Sequence, residues 1–120
     1  MRRLEVFLRE EALADLADIY NHIARVSGSP VTAIGFVRRI KARCERIGIV
    51  PMGGVARNDL QPGLRTVPFE HSAVIAYVVE DDQVSVTNVF YGGRDYEALY
   101  RGTKSVQPDE DAIPRRTPKQ

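Results

Sequence analysis

The sequence has little with which to build a disulfide framework, a metal centre or a membrane span. Its one cysteine, Cys44, excludes an internal disulfide and any zinc site made of several thiolates. Two histidines, His22 and His71, are too few for a histidine-rich metal centre, and neither a metal nor a cofactor is expected. No apolar run approaches the ~20 residues that cross a bilayer. The opening stretch, MRRLEVFLREE, has two arginines but only five mostly apolar residues before charges return. That does not make a secretory signal, and a cytoplasmic location is expected. Neither sign of charge dominates. The 17 Lys and Arg against 16 Asp and Glu give a formal +1, which is not the footprint of a general nucleic-acid binder. What the chain does have is apolar content, 43% of 120 residues, enough for the core of one domain.

The charge is unevenly placed. Residues 9–26 carry Arg9 and Arg25 against Glu10, Glu11, Asp15 and Asp18, a net −2. Residues 30–49 carry Arg38, Arg39, Lys41, Arg43 and Arg46 against Glu45, a net +4. If these segments are antiparallel helices, the domain has a basic edge suited to an acidic partner or to phosphates.

Residues 4–8 read as a short strand. Glu10 and Glu11 then favour a helix start, and Leu13, Leu16, Tyr20 and Ile23 recur at helical spacing through residue 26. Ser29 and Pro30 open a second helix whose apolar stripe is Ala33, Phe36, Val37, Ile40, Cys44 and Ile47, ended by Gly48 and Pro51. Residues 51–63, crowded with glycine, proline, Asn58 and Asp59, read as a loop. Three strands follow. Residues 64–69 form the first. Residues 73–79, nearly all apolar, suit a central strand covered on at least one face. Residues 84–91 alternate, with Val84, Val86, Asn88 and Phe90 on one side and Ser85, Thr87, Val89 and Tyr91 on the other. Asp81-Asp82 marks a turn and Gly92-Gly93 a strand end. Residues 95–101 read as a short helix. The stretch 103–120, with three prolines, mixed charge and only Val106 and Ile113 as larger aliphatics, is expected to be disordered. The expected fold is therefore α+β. It consists of an N-terminal strand, an antiparallel two-helix hairpin, a three-stranded antiparallel sheet and a short C-terminal helix within residues 1–102.

Four stretches in this order and spacing resemble the RelE/ParE superfamily of bacterial type II toxin–antitoxin toxins, on the ParE side. They are ALADLADIYNHI from Ala12 to Ile23, the run from Ile49 to Arg65, the strand pair around Ala73–Val79 with Asp81-Asp82 in its turn, and Tyr91-Gly-Gly-Arg-Asp-Tyr-Glu-Ala-Leu99. The resemblance implies a small toxin neutralised by a partner encoded beside it, ParD-like on this branch. It also implies one of two targets. ParE-like toxins inhibit DNA gyrase, whereas RelE-like relatives cut messenger RNA in the ribosomal A site.

RNA cleavage without a metal needs a base for the 2′-hydroxyl, cations for the phosphate and an acid for the leaving oxygen. On the RelE-like pattern, Arg94 and Tyr100 fall where the late arginine and tyrosine stand, and Arg65 falls near the basic position of the first central strand. The next strand reads Ala73-Val74-Ile75-Ala76, and no lysine or arginine lies between Thr66 and Gly93. An apolar side chain cannot stabilise a phosphorane. Inhibition of gyrase by binding is therefore the first reading, with Arg65, Arg94, Asp95 and Tyr100 as target-contact candidates. Ribosome-dependent cleavage by Arg65, Arg94 and Tyr100 is the alternative, and a degenerate toxin that only binds its antitoxin is a third. Arg39, Arg43 and Arg46 share one side of the second helix at i, i+4, i+7 and are the antitoxin-binding candidates. More ordinary roles stand beside these. Arg65 pairs with Glu70 or Asp59, Arg94 closes a turn with Asp95, Tyr100 packs its ring on the core edge with a wet hydroxyl, His71 sits in a hairpin turn, and Cys44 is a small buried hydrophobe.

Overall fold

A computed structural model describes residues 3–93 and 95–105. The elements run β1 (Glu5–Leu8), α1 (Glu10–Ser27), α2 (Pro30–Ile47), β2 (Val55–Ala56), β3 (Arg65–Phe69), β4 (Ala73–Glu80), β5 (Gln83–Tyr91) and α3 (Tyr96–Ser105). The expected α+β order is present, with one added strand and a longer last helix. The sheet order is β1-β5-β4-β3-β2. β1 lies parallel to β5, and the other pairings are antiparallel. α3 continues to Ser105, beyond the boundary expected at residue 102. Most of the expected disordered stretch, residues 106–120, lies outside the described residues.

The helical hairpin follows from its punctuation. Ser29 accepts the Thr32 amide at 3.1 Å, and Pro30 occupies the first turn, where its missing N–H costs nothing. Gly48 does not end α2 through a left-handed conformation; its φ is −62°. It is glycine because β1 runs against it. The Leu4 amide donates to the Gly48 carbonyl at 2.9 Å, and a Cβ on Gly48 would collide with the Leu4 carbonyl. The buried stripe of α1 is Ala12, Leu16 and Ile19, with Tyr20 and Ile23 partly buried beside it. Leu13 is not part of it and stands 49% exposed. The small Ala12, fully buried, takes the inward place one position earlier.

The two helices cover one face of the sheet. Phe36, Val37, Ile40, Cys44 and Ile47 of α2 meet Val67, Phe69, Ile75, Tyr77, Val84, Val86 and Val89. The opposite face carries a smaller cluster, Leu60, Leu64, Ala76, Val78 and Phe90, covered by Tyr96 and Tyr100 of α3. β4 is thus buried on both faces, which accounts for its unbroken apolar run. Two connections turn tightly through residues in the left-handed region, Glu70-His71 (φ 47° and 59°) and Asp81-Asp82 (φ 51° and 61°).

The regular alternation expected of residues 84–91 breaks once. Tyr77 pairs with Val86 and Ala76 with Asn88, so Thr87 is an extra residue, a β-bulge. The bulge shifts the period. Val84, Val86, Val89 and Tyr91 end up towards the helical hairpin, and Phe90 on the other face. β1 stops opposite Val86, which leaves the rest of the β5 edge unpaired. Asp15 of α1 closes part of that edge, accepting from the Val89 amide at 2.8 Å and from Asn88 Nδ2 at 3.2 Å. An unpaired buried amide is costly, so this carboxylate fixes α1 to the bulged strand.

Candidate functional site

The basic face of α2 is divided by the fold. Arg39 faces the β3–β4 turn, where Nε donates to Glu70 Oε2 at 2.9 Å and Nη2 to Oε1 at 3.1 Å, with the guanidinium carbon 5.4 Å from the centre of the Phe36 ring. This hydrogen-bonded pair raises the Arg39 pKa and lowers that of Glu70. The Glu70 partner expected for Arg65 is therefore taken by Arg39. Arg43 and Arg46 lie further along α2 and line a cavity of about 370 Å³ together with Ile47, Ile49, Val50, Gly53, Gly54, Val67 and Tyr77. Neither side chain makes a hydrogen bond or ion pair among the described residues.

The far wall of this cavity, the 50–54 loop, is held from beneath. Tyr77, fully buried, donates its hydroxyl hydrogen to the Pro51 carbonyl at 2.7 Å and accepts from the Gly54 amide at 3.0 Å. Burial raises the Tyr77 pKa, against the lowering effect of the Gly54 hydrogen bond and of Arg65 and Arg43 nearby. Arg65 donates through Nη1 to the Met52 carbonyl at 3.0 Å and the Gly54 carbonyl at 2.7 Å. The Gly53 amide donates to the Val50 carbonyl at 3.0 Å. A Cβ at Gly54 would lie 2.5 Å from the Tyr77 hydroxyl, so only glycine permits this approach. Just beyond the loop, Val55 and Ala56 pair with Thr66 and Arg65 as a two-residue edge strand. The sequence hid this strand among turn residues. With the loop backbone bonded inward, Val50 and Met52 stand 58% and 63% exposed beside the two arginines.

Arg65 and Tyr100 do not meet. Arg65 stands opposite Tyr77 in the β3–β4 register, on the helical-hairpin face. Tyr100 packs with Ala76, Val78 and Phe90 on the other face. Successive residues of a strand point to opposite sides, and Ala76 and Tyr77 are consecutive. One phosphate cannot touch both side chains. The Tyr100 hydroxyl is not wet, as expected, but buried, and it makes no hydrogen bond among the described residues. Its burial raises its pKa. Asp95 opens α3, where its Oδ1 accepts from the Ala98 amide at 3.3 Å, an N-cap role. Arg94 lies outside the described residues. His71, exposed, occupies the tight turn expected of it. His22 packs edge-on to Tyr91 with ring centroids 5.7 Å apart. Cys44 is fully buried, and burial pushes its thiol up to about 11. Among the described residues, no group of three or more His, Cys, Asp and Glu is placed to hold a metal ion, and no helix is long and apolar enough to cross a membrane.

Arg57 was not singled out by its sequence context. It binds Asp59 through Nη2 at 2.8 Å and Glu97 of α3 through Nη1 at 2.7 Å. The same Nη1 lies 3.4 Å from the Tyr96 hydroxyl. These contacts fasten α3 to the 57–64 loop and raise the Arg57 pKa. Nothing in the sequence around Arg57 marks a partner 40 positions away.

A four-strand antiparallel sheet with a parallel first strand at its edge, a long helical hairpin on one face and a short C-terminal helix on the other defines a small α+β domain of the RelE/ParE type. Residues 6–96 match the family model described as ParE toxin of type II toxin–antitoxin system, parDE. The chain belongs to that family. Among solved structures it is similar to the chromosomal ParDE TA system from P. aeruginosa, with a TM-score of 0.66 and 23% sequence identity over 75% of this chain and 97% of that chain. That likeness is one of fold. No curated protein matches the chain.

Proposed function

We propose that this ParE-family toxin acts by binding DNA gyrase in the cytoplasm, without chemistry of its own, and that a ParD-like antitoxin encoded beside it neutralises it. The observation that carries the non-enzymatic half of this reading is the separation of Arg65 and Tyr100 on opposite faces of the sheet. Metal-independent RNA cleavage needs cations and an acid or base around a single phosphate. Here Arg65 is tied to two loop carbonyls and Tyr100 is enclosed in the second cluster. β4, between them, presents only Ala73, Val74, Ile75 and Ala76 where a cation would have to stand. The target half of the reading rests on family membership.

Of the target-contact candidates, Asp95 is exposed at the start of α3. Arg65 and Tyr100 support surfaces from within. Arg94, the remaining candidate, lies outside the described residues.

The test is a supercoiling assay with purified gyrase, the toxin, and the toxin with its neighbour-encoded antitoxin. Inhibition that the antitoxin relieves is the expected result. A folded toxin that leaves supercoiling untouched while messages are cut at the ribosome after induction would overturn the reading. Normal growth on unopposed expression, with no inhibition, would place the chain among toxins that only bind their antitoxin.

A further inference from the structure

From the cavity between α2 and the 50–54 loop we infer the chemistry of the antitoxin segment that this toxin captures. It is a stretch with a carboxylate side chain seated between Arg43 and Arg46 and aliphatic neighbours lying on Ile49, Val50 and Met52. This rests on the reading that an antitoxin neutralises the protein.

Three observations converge on that occupant. The first is charge. Arg3, Arg9, Arg39, Arg57 and Arg101 each have a carboxylate partner. Arg43 and Arg46, about one helical turn apart and lining the same cavity, have none among the described residues. Two adjacent guanidiniums with no counter-charge repel one another, and a carboxylate between them relieves that repulsion through charge-assisted hydrogen bonds. The second is apolar exposure. Ile49, Val50 and Met52 are 43%, 58% and 63% exposed, and the first two line the cavity itself. Clustered aliphatic side chains rimmed by cations fit a partner that alternates acid and aliphatic groups, whereas nucleic-acid phosphate would leave them in water. The third is rigidity. The carbonyls of Val50, Pro51, Met52 and Gly54 are all bonded inward, to Gly53, Tyr77 and Arg65. The lip is thus formed before anything binds, and the ordering cost of binding falls on the partner alone.

The same geometry removes Arg39 from the antitoxin contact. Its guanidinium is already held by both oxygens of Glu70 and adds no free charge. The row of three arginines becomes a pair.

The experiment measures binding of the neighbour-encoded antitoxin to full-length toxin by calorimetry, for wild type, Arg43→Glu, Arg46→Glu, the double variant, Val50→Asp and the control Arg38→Glu. Arg38 is exposed on the same helix and does not line the cavity. Circular dichroism checks the fold of each. The double reversal is expected to weaken binding at least about a hundredfold, as lost close charge pairs do. Val50→Asp should weaken it by about tenfold or more, and Arg38→Glu by no more than about twofold. An antitoxin carboxylate exchanged for arginine should restore binding to Arg43→Glu or Arg46→Glu. If wild type binds and the folded double variant binds equally well, the inference is overturned and the toxin–antitoxin reading stands. Should Arg38→Glu weaken binding as much as the double reversal, the effect is general electrostatics and the cavity is not the seat. Failure of wild type itself to bind its neighbour-encoded partner overturns both. If the double variant misfolds, the single variants and the charge exchange decide.

Discussion

On the face towards α1 and α2, the sheet meets two 18-residue helices that bury most of the core and leave Ile40, Cys44, Ile75, Tyr77, Val84 and Val86 fully inaccessible. On the other face it meets one 10-residue helix and the 57–64 loop, which enclose five buried residues. The first cover is joined to the sheet through many apolar contacts. The second arrives late in the chain and is fastened through Arg57, Asp59 and Glu97. One face therefore holds most of the core, while the other is closed by a small cover that adds polar contacts at its rim to the packing of Tyr96 and Tyr100. Stability, by this comparison, is concentrated on the helical-hairpin face. The cavity proposed to take the antitoxin lies on that same rigid side.

The sharpest way to break the comparison is to open the hairpin core. Ile40→Ala is expected to lose about 2–5 kcal/mol, because Ile40 is fully buried and the helices cannot collapse onto the space. Urea unfolding measures this, and a loss below about 1 kcal/mol would mean the hairpin face is not the main core. Next comes the hydroxyl of Tyr77. Tyr77→Phe orphans the Gly54 amide and the Pro51 carbonyl and should cost about 1–3 kcal/mol, with faster hydrogen exchange at Gly54. Unchanged exchange there would show the 50–54 loop to be held by Arg65 alone.

Smaller effects probe the second cover. Arg57→Ala should raise amide exchange throughout α3 while leaving exchange in α1 and α2 at wild-type rates. Equal acceleration in both regions would erase the distinction between the two faces. Tyr100→Phe should leave stability unchanged or raise it by about 1 kcal/mol, since a buried hydroxyl without a hydrogen bond is removed and the ring stays beside Phe90. A loss of more than about 1 kcal/mol would mean that this hydroxyl is bonded in solution. The smallest signal is chemical. With its pKa raised to about 11, Cys44 is almost wholly protonated at pH 8, so the folded protein should resist thiol reagents that label the urea-unfolded chain promptly.

Sequence reading carried far on the helical-hairpin side because its signals are local. Ser29-Pro30 and the 3.6-residue recurrence of Phe36, Val37, Ile40, Cys44 and Ile47 specify a helix and its inward face without knowledge of the rest. The same reading misplaced Leu13, since periodicity gives a stripe but not the rotation at which the sheet receives it. It treated residues 84–91 as a plain alternation, since one bulged residue at Thr87 leaves no mark in the apolar pattern. It placed Arg39, Arg43 and Arg46 together, since helical spacing shows which side chains share a face but not that Glu70 waits opposite only the first.

By itself, the sequence determined the order of the elements other than β2, the two helices with the Ser29 cap of the second, the apolar run of β4, the tight turns at Glu70-His71 and Asp81-Asp82, and the burial of Cys44. Each depends on residues within a few positions of one another, or on apolar content alone. Only the tertiary structure decided that Arg65 and Tyr100 stand on opposite faces, that Asp15 closes the edge of β5, that Arg57 fastens α3, and that Arg43 and Arg46 border a cavity while Arg39 does not. Those facts depend on register and on contacts far apart in sequence, 31 positions for Arg39 with Glu70 and 74 for Asp15 with the Val89 amide. No local propensity specifies such pairs; they are fixed when the sheet closes against the helices.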